Sequence, residues 1–175
     1  MKIRYLNESD ANIYREVRLR GLKESPLAFR ESFEDECEKS LAEVAEELVP
    51  RGNPPEEFKL GAFSERGELI GIVSFRRDIR VKARHRAMLS GMYVIPEARR
   101  QGVGRALLDQ VVNKAEQLGG MEQIHLWVLH AMPSASGFYQ DCGFAKQGPS
   151  VKGDLKIGSE YVDSSYLVFH LKNSG

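Results

Sequence analysis

Apolar positions change period several times along this chain, and each change marks an element. Residues 2–6 alternate as a strand does. Ile13, Tyr14, Val17 and Gly21 then fall on one helical stripe, with Ser9 or Asp10 placed to cap the helix and Pro26 to end it. A second helix is predicted where Ser40 and Glu43 form a capping box ahead of Leu41, Val44, Ala45, Leu48 and Val49. Residues 50–55, rich in proline and glycine, read as a loop. Residues 58–64 and 69–75 read as a strand pair, and Glu65-Arg66-Gly67-Glu68 between them has turn chemistry. Residues 88–95 are apolar on both faces, which suits a central strand. Gly91 inside that strand predicts a bulge or the close approach of another group.

The next helix carries Val103, Ala106, Leu107, Val111, Ala115 and Leu118 on one side and Asp109, Asn113 and Glu116 on the other, until Gly119 and Gly120 stop it. Residues 124–129 read as a strand and residues 133–141 as a short helix opened by Pro133. Two late strands are expected near residues 144–148 and 161–171. The order is strand, two helices, three strands, helix, strand, helix, two strands. It predicts a mixed α/β sheet with helices on both faces.

At 175 residues the chain suffices for one domain with a real core and not comfortably for two, so residues 1–175 are expected to form a single domain. Basic and acidic residues number twenty-five each, so net charge gives no argument for nucleic acid. No apolar run approaches the ~20 residues of a membrane span. The first residues lack the apolar core of a signal peptide, and Cys37 and Cys142 lie far apart. Both thiols are therefore expected to be reduced and the protein cytoplasmic. Cys142, beside Gly143 and Phe144, reads as a small core residue.

The most informative stretch is Arg99-Arg100-Gln101-Gly102-Val103-Gly104-Arg105, which joins the apolar strand to the amphipathic helix. Glycines at the mouth of a helix let the backbone turn and come close to a ligand. The free N–H groups of the first turn and the positive end of the helix dipole attract an anion, and arginines add forked hydrogen bonds. It is not a Walker loop, because no Gly-Lys-Ser/Thr follows, nor a dinucleotide fingerprint, because Leu107 stands where a third glycine belongs. The run fits Arg/Gln-x-x-Gly-x-Gly/Ala and resembles the acetyl-CoA pyrophosphate loop of the GNAT superfamily of N-acetyltransferases. Residues 91–99, leading into it, resemble that family's fourth strand and its exit. Leu126-x-Val128, Ala135, Phe138-Tyr139 and Gly143-Phe144 resemble its fifth strand and following helix.

The resemblance covers nearly the whole chain and is most specific from Gly91 to Phe144. It implies a GNAT-like central mixed sheet, mostly antiparallel, flanked by helices on both faces. It implies acetyl-CoA as co-substrate, an amine acceptor and direct acyl transfer. The implied cofactor-binding residues are Met92, Tyr93, Val94, Arg99, Arg100, Gln101, Gly102, Val103, Gly104, Arg105 and Phe138. Tyr139 is the implied general acid: a phenol with a pKa of about 10 keeps its proton at neutral pH and can give it to a leaving thiolate. A backbone N–H near Met92 to Val94 is the implied oxyanion donor. Two departures stand out. Met132 occupies the place where many members carry an asparagine, and Met88, Leu89 and Ser90 offer no carboxylate as base. Glu31, Glu34, His85 and an ordered water chain remain open as bases.

No metal is expected. His125 and His130 would point to opposite faces of a strand, and no Cys/His spacing matches zinc. Arg76, Arg77, Arg80, Lys82, Arg84 and Arg86 form a basic cluster whose last four members would line one face if extended. A solvated hairpin tip is the favoured reading over nucleic-acid binding, because no aromatics interleave. Between Glu31 and Glu47 eight acidic residues face one lysine; the segment could draw a cationic amine toward the site, but an exposed helical face is the favoured reading. The expected activity is acetyl transfer to an amine of a small molecule or peptide. The rivals are a non-catalytic acyl-CoA-binding sensor and an RNA- or ribosome-associated protein using the basic cluster. No membrane partner is expected; a homodimer is compatible with the chain.

Overall fold

The computed structural model describes residues 1–172. Its elements are β1 (Lys2–Tyr5), α1 (Ala11–Glu24), α2 (Phe33–Glu38), α3 (Leu41–Leu48), β2 (Arg51–Gly52), β3 (Pro55–Phe63), β4 (Leu69–Arg77) and β5 (Arg86–Val94). There follow α4 (Val103–Glu116), β6 (Gln123–Leu129), α5 (Pro133–Asp141), β7 (Ala145–Lys146), β8 (Val151–Ile157) and β9 (Glu160–His170). Short 3₁₀ turns include Pro26–Ala28, Val81–Ala83 and Pro96–Ala98. The strands form one sheet in the order β1-β3-β4-β5-β6-β9-β7, with β2 beside β3 and β8 beside β9. Among these pairs only β5 with β6 is parallel. The mixed, mostly antiparallel sheet expected from the sequence is the one observed.

Each face of the sheet has its own core. On one, Val103, Leu107, Leu108, Val111 and Ala115 of α4 meet Leu60, Val73, Phe75, Leu89, Ile124 and Leu126. Full burial contributes roughly 1.5–3 kcal/mol per large aliphatic side chain, so this stripe is enough to fix α4 on the sheet. On the other face Tyr14 and Leu22 of α1 and Val44 and Leu48 of α3 pack on Leu6, Phe63, Leu69, Ile72 and Tyr93.

One irregularity in β5 decides how the site is built. Phe75 pairs with Leu89 and Ser74 with Ser90, but Ile72 pairs with Tyr93 and Gly71 with Val94. Between Ser74 and Ile72 β4 advances two residues while β5 advances three. The extra residue is a bulge, and Gly91 within it has φ +58, which a glycine adopts without strain. A one-residue slip sends later side chains to the other face. Leu89 therefore joins the α4 core, Tyr93 the α1 core, and Met92 and Val94 turn back toward α4 and α5.

Several elements differ from their sequence reading. The first helical turn is capped by Asn7, which accepts from Ser9 N–H, while Asp10 accepts from Asn7 N–H and from Arg4. Ile13 is exposed, as are Leu41 and Val49. The capping box of Ser40 and Glu43 forms as expected. Residues 50–55 include the short β2, and α2 and β8 add elements the hydrophobic pattern left out.

Candidate active site

β5 and β6 are joined only at Arg86↔Gln123, Ala87↔Ile124 and Met88↔His125. Beyond Met88 the strands part, because the bulge re-aims β5 toward β4. A cavity of about 740 Å³ occupies the gap, lined by Met92, Tyr93 and Val94 on one side and Trp127, Val128 and Leu129 on the other. The α4 and α5 side of the gap contributes Gly102 to Arg105 and Phe138 to Tyr139; the α1 side contributes Ser25 and Leu27 to Arg30. The cavity thus reaches both faces of the sheet. The carbonyl of Val94 accepts from Arg99 Nε at 2.9 Å rather than from a strand partner. A strand residue's N–H and C=O point the same way, so the Val94 N–H also faces the gap.

The arginine loop has the geometry of an anion cradle. Arg100 and Gly102 both have positive φ, 61° and 80°, and Gly102 immediately precedes α4. A Cβ added at Gly102 would meet nothing within 4 Å, so the space in front of the loop is open. The first N–H groups of α4 have no acceptor within the helix. Arg99, Arg100 and Arg105 all line the cavity. Gln101 does not: its side chain donates to the Glu97 carbonyl at 2.8 Å and braces the turn before the loop. Gly104 serves close packing instead, since a Cβ there would stand 3.3 Å from Met92 Cε and 3.4 Å from the Phe138 ring.

Tyr139 lies between Phe138 and Phe144, with ring centroids 5.3 and 5.7 Å away. Its hydroxyl donates to Met92 Sδ at 3.5 Å inside the cavity. Burial raises its pKa, so it keeps its proton across the neutral range. Met132 also lines the cavity, and its carbonyl accepts from Ala135 and Ser136 at the start of α5. Tyr93 turns its side chain away to donate to Glu24 at 2.6 Å; burial, and then that bond, push its pKa up to about 12.

The residues left open as bases are not gathered here. Glu31 is bound to buried Arg18 at 3.0 Å; burial pulls its pKa up, but Arg18 and a backbone bond bring the net below the usual value. His85 lies just before β5, at the end opposite the cavity. The basic cluster is not an extended face. Val81–Ala83 forms a 3₁₀ turn, Arg77 and Arg84 pair with Glu56, and Arg80 and Arg86 pair with Asp78. His125 is buried against Gln123 and Tyr166, and His130 bonds Ser165. Both cysteines are free and half-buried. No helix among the described residues is long and apolar enough to cross a membrane.

Two cavity residues carry no mark in the loop pattern. Arg30 follows the Pro26–Ala28 turn, and nothing in the sequence sets it apart. Trp127 does break the pattern: it is a large aromatic at the outward position of otherwise apolar β6, and it is 37% exposed.

The sequence profile of the acetyltransferase (GNAT) family matches residues 22–144, from α1 through the arginine loop to Phe144. The chain belongs to that family. Spermidine N(1)-acetyltransferase of Vibrio cholerae is 27% identical to this GNAT chain over 95 residues, 54% of this chain and 53% of that protein. The chain thus spans about half the length of the curated relative it matches. A phosphinothricin acetyltransferase from Sinorhizobium meliloti, solved with AcCoA, superposes with a TM-score of 0.81 at 25% identity, covering 97% of this chain and 88% of that one. A GNAT-family acetyltransferase from Streptococcus pneumoniae gives 0.80 at 22% identity, covering 98% and 99%, and shares the fold.

Proposed function

We propose that residues 1–175 act as a single N-acetyltransferase domain that moves an acetyl group from acetyl-CoA directly to an amine. One observation carries this reading: a single cavity joins an arginine-lined helix N-terminus to a half-buried phenol through a gap between two strands. Arg99, Arg100 and Arg105, with the first N–H groups of α4, hold the diphosphate. The open space before Gly102 leaves room for it. Met92, Val94 and Phe138 flank the arm that runs down the gap toward Tyr139.

The chemistry needs three things of the protein. As the amine forms its new C–N bond, negative charge gathers on the thioester oxygen. The Val94 N–H is placed to receive it, and such donors contribute a few kcal/mol. When the C–S bond breaks, the Tyr139 hydroxyl gives its proton to the departing sulfur. The amine's own proton leaves through water, because Glu31, held as a carboxylate by Arg18, is a weak base and does not line the cavity. No residue is acylated, which suits a cavity with no cysteine or lysine in its wall. A cytoplasmic setting fits the two free thiols.

Incubation with acetyl-CoA and a panel of amines, with free CoA and acetylated product both measured, tests the reading. Amine-dependent release of CoA in equal amount to acetylated product is expected. CoA binding without any transfer would leave the sensor in its place.

A further inference from the structure

Outside the arginine loop two charged side chains line the cavity, Arg30 and Asp141. Asp141 ends α5 and its carbonyl accepts from Arg105 at 2.9 Å, which sets it at the phosphate end. Arg30 stands across the gap, on the segment that joins α1 to α2. The turn before it, Pro26–Ala28, packs against both β5 and β6. That wall is where an acceptor must enter if the arginine loop takes the phosphates. The residues lining that wall include a cation and no carboxylate; the acid that meets the cation, Asp154, stands behind it on β8.

The Arg30 guanidinium is oriented but not used up. Nη1 and Nη2 meet the two oxygens of Asp154 on β8, at 2.7 and 3.4 Å. Among the described residues its Nε–H carries no hydrogen bond. The arginine side chain is 48% exposed, and ion pairs of this kind hold weakly enough for an incoming anion to share the guanidinium. Trp127 lines the same cavity, its ring held against Tyr166 at 4.6 Å between centroids. A polyamine would bring ammonium groups to an arginine, where the one acid, Asp154, is already paired with that arginine. A carboxylate beside the amine would find a fork of the right shape.

We propose that the acceptor is an amino acid whose carboxylate is bound by Arg30, with Asp154 as the positioning residue and Trp127 packing the acceptor's side chain. This rests on the acetyl-transfer reading and narrows it.

The test is calorimetry on CoA-saturated protein, which does not depend on turnover. The probes are leucine, methionine, phenylalanine and glutamate, each beside its own carboxamide, and spermidine. At least one acid is expected to bind ~10-fold or more tightly than its amide, as a charge-assisted hydrogen bond requires. Spermidine is expected to give no heat. Arg30→Gln removes the preference for the acid, Arg30→Lys keeps part of it, and neither changes affinity for CoA. The proposal is overturned if no acid is preferred to its amide, if spermidine binds better than every acid, or if the preference survives Arg30→Gln. It is also overturned if Arg30→Gln and Asp154→Asn weaken acids and amides equally, which is what a purely structural strap between α1 and β8 would do. Acetylation of the same compounds is followed separately. Arg30-dependent binding without acetylated product would sink the transfer reading and leave the acid site standing.

Discussion

Gly102 and Gly104 stand two residues apart and answer different demands. Gly102 needs a left-handed backbone and has open space before it; Gly104 needs room for the Met92 and Phe138 side chains. Any other residue at Gly102 carries a backbone cost of about 1–2 kcal/mol, so Gly102→Ala and Gly102→Glu are expected to lower the melting temperature by similar amounts. They should part in CoA affinity. The glutamate sets a negative charge where the diphosphate belongs, and like charges in contact cost several kcal/mol. Affinity is expected to fall by ~100-fold or more relative to the alanine variant; equal affinities would show that the phosphates bind elsewhere. Tyr139→Phe is expected to lower kcat by ~100-fold or more, with the KM for acetyl-CoA little changed. An unchanged kcat would mean that water supplies the proton. Both positions are marked in the sequence because each stands in a run that resembles a GNAT motif. Arg30 is not, because its use depends on which strands part above it.

At the scale of elements, legibility follows length and amphipathicity. α4 presents a full apolar stripe, and α5 opens on a proline, so the sequence marks both. α2 is six residues long and mostly acidic; its one cue is Ser32, which caps it by accepting from Asp35 N–H. β8 alternates Val151, Gly153, Leu155 and Ile157, but its glycine and aspartate hide the pattern, and its pairing with β9 is irregular between Val151 and Leu155. The β6–β9 pairing carries a pH dependence. His125 is buried; desolvation, then the nearby charge of Arg86, pushes its pKa down to about 4. Its Nε2–H donates to Gln123 Oε1, which leaves Nδ1 to accept from Tyr166. In the unfolded chain the ring protonates near pH 6.5, and in the folded one it resists until near 4. This contribution is therefore present above pH 6.5 and lost as pH falls toward 4, by on the order of 1–3 kcal/mol in all. Thermal melts at pH 7 and pH 5 should show a smaller drop for His125→Gln than for the parent. An equal drop would assign the acid sensitivity to other groups.

For the molecule as a whole, the site depends on one strand serving two cores. Gly91 announces that something happens in β5, but the parting of β5 from β6 needs the β4 pairing, the bulge and both cores at once, and no local pattern contains it. Tyr93 is where the two halves are tied. Its hydroxyl binds Glu24 at the end of α1; Glu24 also accepts from Arg20 at 2.8 Å, and Arg20 reaches Glu97, just before the arginine loop, at 2.6 Å. The Tyr93 ring is buried, whereas Arg20 and Glu97 are exposed. Exposed ion pairs contribute little, and a hydrogen bond from a buried ring to a carboxylate contributes more. Tyr93→Phe is therefore expected to lower the melting temperature clearly, and Glu97→Gln hardly at all. The order reverses for the cofactor. Glu97 places a negative charge within a few residues of Arg99 and Arg100, so its removal should tighten CoA binding. That charge acts through solvent, where screening lengths shorten from ~10 Å at 0.1 M salt to ~3 Å at 1 M. The gain from Glu97→Gln should be measurable at low salt and gone at high salt. A gain that persists at high salt would mean that Glu97 acts on the shape of the loop and not on its charge.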